Sequence, residues 1–382
     1  MSIEGEIRVT LHWDGRRVRQ VDLASTRPLV AVQLLPGRRP GDAAALVPRL
    51  YALCGHAQGA ACAAALRAAG ADAAGLPAVD ARTVMLEALQ ETLFRLLIDA
   101  PRALSLAPQA AAVGPARAVV ARAIAALPAG TDPDRAVLAP AAEALAQTAC
   151  EHVYGLAPAA WLAAIDSAPT FDHWRETTAT VPARALARLA ASAPDLGRSD
   201  TALMPGLDDE AWWSAVVPAL QRDPLFARAP TWGGRPVETG ALARQRQQPL
   251  VAALVARDGC SASTRLAARL VELAGLLQAW PAAAADAPDW VRTWPLGAGC
   301  GLAAVQTARG LLLHQAWLAD GRIRDYRIVA PTEWNFHPQG ALFRGIIGSE
   351  AGDEPALVAR AALAVHALDP CVGFRIEVAR DA

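Results

Sequence analysis

Apolar and polar residues alternate from Ile7 to Val21 around Asp14-Gly15, which predicts a β-hairpin with strands Ile7–Trp13 and Arg17–Leu23. The stretch Leu35 to Ala43, punctuated by Pro36, Gly37, Pro40 and Gly41, reads as a turn leading into a helix, and an Ala-rich helix is expected as far as about Ala69. From Thr83 to Asp99 the apolar residues Met85, Leu89, Leu93, Leu96 and Leu97 recur at helical spacing, and Pro101 is expected to end that helix. Thr264 to Trp280 repeats the pattern with Leu266, Leu270, Leu273 and Leu277. A second hairpin is predicted over Leu311–Leu318 and Ile323–Val329, turning at Asp320-Gly321. A last helix runs from Pro355 to Leu368, with Asp353 or Glu354 as its cap and Leu357, Ala361, Ala364, Val365 and Leu368 on one face. Pro370 stops it and stiffens the chain that presents Cys371. From 102 to about 220 the chain is Ala-rich, helical and Pro-punctuated, with Trp161, Trp174, Trp212 and Trp213 read as core fillers and Asp208-Asp209-Glu210 as a helix start. The expected fold class is α+β, mainly α: a helical body over 42–280, a β-hairpin at 7–23, and a second hairpin within a C-terminal region, 296–382.

Composition narrows the function classes. At 382 residues and 53% hydrophobic, the chain can bury a large core. The net charge is −1 and every basic residue is Arg. These arginines are scattered, without a basic stripe interleaved with aromatics, so no nucleic-acid partner is expected. No apolar run is long enough to span a membrane. The first ten residues carry Glu4, Glu6 and Arg8, which is unlike a secretory leader. The six cysteines are widely spread, which fits reduced cytoplasmic thiols better than a disulfide framework.

The candidate chemistry lies in motifs near both ends. Arg49-Leu50-Tyr51-Ala52-Leu53-Cys54-Gly55-His56-Ala57-Gln58 resembles the N-terminal metal motif of nickel–iron hydrogenase large subunits, Arg-x-Cys-Gly-x-Cys-x-x-x-His. Aligned on Arg49, Cys54 is the second motif cysteine, Tyr51 stands for the first and Gln58 for the histidine. Glu4-Gly5 and Gly37-Arg38 match upstream pieces of the same family. Ala229 to Arg244 looks like its Ala-Pro-Arg-Tyr stretch, Arg309-Gly310 with His314 its Pro-Arg-Gly-x-x-x-His, and Pro331-Thr332-Glu333-Trp334-Asn335 its Pro-Thr-Thr-Trp-Asn. Asp369-Pro370-Cys371-Val372-Gly373-Phe374 closes the series where the family reads Asp-Pro-Cys-x-x-Cys. Each motif is weak alone, and the ordered set is strong. It implies a shortened large-subunit-like fold, treated as one domain over 1–382 because the two halves of the site come from opposite ends. Among such proteins the chain resembles the HupK/HoxV group of hydrogenase maturation proteins.

In that family four thiolates hold the metals, two bridging nickel and iron and two on nickel alone, and iron also carries cyanide and carbon monoxide. Here Tyr51 and Phe374 replace two thiolates, Cys54 falling at a bridging position and Cys371 at a nickel-only one. The resemblance therefore implies no nickel and no hydrogenase activity. It implies instead a non-catalytic cytoplasmic scaffold that transiently holds an Fe(CN)2CO unit. A HypC–HypD-type complex would supply the unit and the hydrogenase large-subunit precursor would receive it. Cys54 and Cys371 are the implied metal ligands, either together after a shift of the C-terminal strand or Cys54 alone. Arg309 and Thr332, with Pro331 beside it, match residues near the cyanides, and Asp369 is placed to hold Arg309. Glu4 matches a residue of the proton path or is structural only, and the alternative reading of Arg309 is an ordinary buried ion pair. His56, His314 and His337 read as satisfied core or turn histidines. Cys62, Cys150, Cys260 and Cys300 lie outside every motif. A family magnesium ligand is replaced by Glu377, no acidic residue stands between Val30 and Leu35, and no removable C-terminal extension is expected. The alternatives are a divergent large-subunit-like redox enzyme and a metal-free protein that binds maturation partners.

Overall fold

The computed structural model describes residues 5–27, 33–51, 53–127 and 135–380. The N-terminal hairpin forms as expected from β1 (Glu6–Trp13) and β2 (Val18–Ser25), paired antiparallel. Ile7, Val9, Leu11 and Trp13 turn to one face of β1 and are buried. That face packs on the C-terminal helix, Glu354–Leu368, whose inward residues are the five read from the sequence: Leu357, Ala361, Ala364, Val365 and Leu368. Asp353 caps this helix by accepting from the Ala356 N–H at 2.7 Å.

The three-stranded sheet contains a strand that the periodicity did not predict. Gly373–Arg380 runs parallel to β1 on the side opposite β2, with Ile7 opposite Phe374 and Val9 opposite Ile376. Two parallel neighbours need a long crossover, and here the crossover is almost the whole chain. This pairing carries Cys371, two residues before the strand, back to the N-terminal region.

The second hairpin is half of a larger sheet. Four antiparallel strands lie in sequence order: β3 (Val291–Gly297), β4 (Cys300–Thr307), β5 (Gly310–Ala319) and β6 (Arg322–Val329). Every residue of β4 is buried, because both faces of the sheet are covered. Helix α1 (Pro40–Leu50) and α2 (Gly55–Ala68) cover one face through Val47, Cys62, Ala65 and Leu66. Trp212, Trp213 and Trp334 cover the other, against Leu302, Leu311 and Leu313.

The remaining core is helical. Helix α3 (Ala81–Phe94) and α4 (Ala262–Ala279) are buried around most of their circumference. Leu89, Leu93, Leu270 and Leu273 meet there with Trp161 and Trp174, so these tryptophans fill the core as read. Pro101 does not end its helix. The chain continues from α3 through a π-helical turn, Arg95–Asp99, into Ala100–Ala103. Such turns occur mostly as single insertions and are frequent at functional sites, and this one carries Arg95 toward the C-terminal motif.

Candidate functional site

Cys54 is the residue just before α2. Its own side chain does not cap the helix. The first N–H groups are taken by Glu87 of α3, whose Oε1 and Oε2 accept from His56 N and Ala57 N, each at 2.9 Å. Gly55 is required where it stands, because a Cβ there would lie 2.9 Å from the carbonyl oxygen of Pro48. The Cys-Gly pair thus lets the motif turn pass tightly over the end of α1.

Cys371 follows a left-handed residue. Asp369, at φ 56, ends the C-terminal helix, a conformation Asp tolerates better than most side chains. The Asp369 carboxylate is buried and draws in two cations: Arg95 Nε at 2.6 Å and Arg309 Nε at 3.5 Å. Neither contact is aligned as a hydrogen bond, so they act through charge. Burial raises the Asp369 pKa, and Arg95, Arg309 and Arg269 outweigh it, so the carboxyl titrates below its ordinary value. Arg269 fixes the preceding turn by donating to the Ala367 carbonyl at 2.7 Å.

Arg309 stands on the turn between β4 and β5. Gly310, at φ +127, makes the turn, and a Cβ there would lie 2.4 Å from Thr239 Cγ2. The Arg309 guanidinium donates from Nη2 to Glu91 Oε2 at 3.0 Å, and the side chain is almost fully buried. Burial disfavours its charge, but Asp369 and Glu91 more than compensate and raise its pKa. The sequence expectation that Asp369 pairs with Arg309 holds, although Arg95 is the nearer partner and Glu91 the aligned one.

The two thiols belong to one electrostatic site. Burial, then the negative charges of Cys371 and Glu87, push the Cys54 thiol up to about 12, against the opposing pull of Arg309 and Arg27. Glu87 is itself raised to about 7 by burial, despite its two N–H donors. The Cys371 sulfur has two close partners, Thr332 Oγ1 at 3.0 Å and Arg27 Nη1 at 3.3 Å. The Cys371 N–H also donates to Thr332 Oγ1, at 3.2 Å. Pro331 opens the short helix Pro331–Asn335 that sets Thr332 in place.

Behind Cys54 lies a buried polar chain. Gln58 Nε2 donates to Cys54 Sγ at 3.7 Å, and Gln58 Oε1 pairs with His314 Nε2 at 2.9 Å. His314 Nδ1 pairs with the Tyr326 hydroxyl at 2.6 Å. Burial pushes His314 down to about 3, so the ring is neutral. A neutral ring that donates from Nε2 accepts at Nδ1, which makes Tyr326 the donor there. His314 is a satisfied core histidine, as read from the sequence.

Residues 256–374 match the family of nickel-dependent hydrogenases. The hydrogenase expression/formation protein HoxV of Cupriavidus necator is 33% identical over 94% of this chain and 92% of its own length. The corresponding protein HupK of Azotobacter vinelandii is 31% identical over 98% of both. The chain belongs to the HoxV/HupK family of hydrogenase expression/formation proteins. In fold it resembles the reduced Ni-Fe-Se hydrogenase of D. vulgaris Hildenborough, with a TM-score of 0.63 at 16% identity over 93% of each chain. The Dm. baculatum [NiFeSe]-hydrogenase gives 0.56 at 17% identity over 94% of each. The large-subunit-like fold expected from the motifs is therefore present.

Within this HoxV/HupK chain the structure brings Cys54, Cys371, Arg309, Thr332 and Asp369 to one region. Glu4 lies outside the described residues. Nickel, which the family description implies, does not fit the donors present. The site offers two thiols, and no group of three or more His, Cys, Asp or Glu among the described residues is arranged to hold a metal ion. Sequence reasoning missed Arg27, Glu87, Glu91 and Arg95. The last three repeat every four residues along α3 and its π-turn, a polar stripe on a helix read only by its apolar positions. Arg27 carried no signal, since its partners Tyr51 and Cys371 are distant in the chain. No helix among the described residues is long and apolar enough to cross a membrane.

Proposed function

We propose that this protein is a non-catalytic carrier in nickel–iron hydrogenase maturation. In this reading Cys54 takes an Fe(CN)2CO unit as cargo from a HypC–HypD-type complex and yields it to the hydrogenase large-subunit precursor. The observation that carries the proposal is a sulfur pair, a buried guanidinium and a hydroxyl at a site where the described residues form no larger cluster of metal ligands. Soft thiolate suits low-valent iron, and a cyanide nitrogen is partly anionic, so a buried charged donor such as Arg309 is its natural partner. Sparse ligation suits transfer, because few iron–sulfur bonds have to break on release. The names of the relatives, hydrogenase expression/formation proteins, support a role in maturation rather than turnover.

Cys54 is the better first ligand. Among the described residues its sulfur has the long Gln58 contact alone, whereas the Cys371 sulfur already has two close partners. The test is anaerobic purification from cells making the whole maturation set, followed by infrared spectroscopy and metal analysis. The carrier shows cyanide and carbonyl stretching bands with iron, and Cys54→Ala loses them. Bands that persist in Cys54→Ala reject the assignment. Nickel with hydrogen turnover would make the protein a redox enzyme, and absence of both metal and bands would leave a metal-free partner-binding protein.

A further inference from the structure

Arg27 has no part in the carrier site as read from motifs, yet among the described residues it is the charged group that donates to the Cys371 sulfur. Its Nη1 lies 3.3 Å from Sγ. The Thr332 hydroxyl, which accepts the Cys371 N–H, lies 3.0 Å from the same sulfur. Arg27 thus donates into a sulfur lone pair that a metal ion would need, and Thr332 takes up a second approach to Sγ. The guanidinium is held in place from behind, its Cζ lying 5.6 Å from the centroid of the Tyr51 ring. Glu333 adds a carboxyl near the same cation and is itself tied to Ser25 Oγ at 3.3 Å. Tyr51 stands where the metal motif has a thiolate, so one substitution both removes a ligand and supplies a seat for a cation.

We propose that Arg27 is a built-in cation at Cys371 that denies this sulfur to a divalent metal ion, so that the two-thiol site accepts a metal through Cys54 and not a second one through Cys371. A metal bonded to Sγ would sit within a few ångströms of a fixed like charge and would have to displace the two close partners of the sulfur. Arg27 is thereby a specificity-determining residue. The disagreement between this donor set and nickel thus has a positive cause beyond missing cysteines. The inference deepens the carrier reading and rests on it for its biological meaning, but it is tested on the metal-free protein.

The probes are Co(II) and Ni(II) added separately to reduced, metal-free, full-length protein. The readouts are bound metal after gel filtration and the thiolate-to-metal charge-transfer absorption. Arg27→Gln is expected to bind either ion at least tenfold more tightly than wild type, with charge-transfer absorption above the wild-type level that returns to that level in Arg27→Gln/Cys371→Ser. Arg27→Lys, which keeps the charge, is expected to behave as wild type. The proposal is overturned if wild type binds the ions as tightly as Arg27→Gln, if Arg27→Lys gains binding equally, or if the absorption added by Arg27→Gln survives loss of Cys371. Should Arg27→Gln lack the native circular dichroism spectrum, Tyr51→Ala, which unseats the guanidinium without removing it, carries the same comparison. Infrared bands on protein from maturation-competent cells are read separately, so failure of the carrier reading leaves this result standing.

Discussion

The buried His314 makes folding stability depend on pH in a way that can be worked out in advance. The ring has no exposed surface and its pKa is pushed from 6.5 to about 3. In the unfolded chain it takes a proton near its ordinary value. Between these two values the unfolded state binds the proton and the folded state does not, so stability falls as pH falls. The contribution is complete above the unfolded pKa and reaches its full loss only below the folded one. Going from about pH 7.5 to about pH 5, each full pKa unit is worth about 1.4 kcal/mol, which gives a loss of about 2 kcal/mol from this residue. Other groups titrate over the same range, so the comparison is with His314→Gln, which keeps one donor and one acceptor but cannot titrate. Urea unfolding followed by tryptophan fluorescence gives the stability of both proteins at both pH values. The stability difference, wild type minus variant, is expected to shrink by about 2 kcal/mol at the lower pH. A difference that stays constant would mean that the folded ring protonates freely, and the sealed chain from Cys54 through Gln58 and His314 to Tyr326 would have to be abandoned.

Other consequences are open to measurement. Because the Cys54 thiol is pushed up to about 12, it is protonated near neutral pH and must lose its proton to bind metal; affinity at Cys54 should therefore rise by up to about tenfold per pH unit, as titrations at several pH values would show. Glu238 and Arg265 form a buried bidentate pair at 2.7 and 2.8 Å, and Glu238→Gln leaves a buried cation short of its counter-charge. Denaturant unfolding should register a loss of about 3–5 kcal/mol, and a neutral result would contradict the pair's burial. Gly55→Ala pushes a Cβ against the Pro48 carbonyl and should cost about 1–3 kcal/mol while lowering metal uptake at Cys54.

Much of the fold was legible because it rests on periodicity. The C-terminal helix shows the five inward residues read from its spacing, and the first hairpin turns at Asp14-Gly15. β4 was missed because a strand covered on both faces has no alternation to read. The strand Gly373–Arg380 was missed because its partner lies at the other end of the chain. In the site, motif order identified Cys54, Cys371, Arg309, Thr332 and Asp369. Glu87 and Glu91 were invisible in that reading, since their importance comes from the helix end and the guanidinium that α3 brings to them.

The amino-acid sequence by itself determined which candidate ligands are available: two motif cysteines where the pattern it resembles has four, with Tyr51 and Phe374 in the other two places. Only the tertiary structure decided what those side chains face. The parallel pairing of β1 with Gly373–Arg380 carries Cys371 back to the N-terminal region, where Arg27 and Thr332 meet its sulfur. Burial then sets the chemistry, raising Glu87 to about 7 and Cys54 to about 12, while three arginines keep the Asp369 carboxyl below its ordinary value. The physical reason is that the free energy of an ionised group depends on the charges and solvent around it, and those neighbours come from residues hundreds of positions apart in the chain.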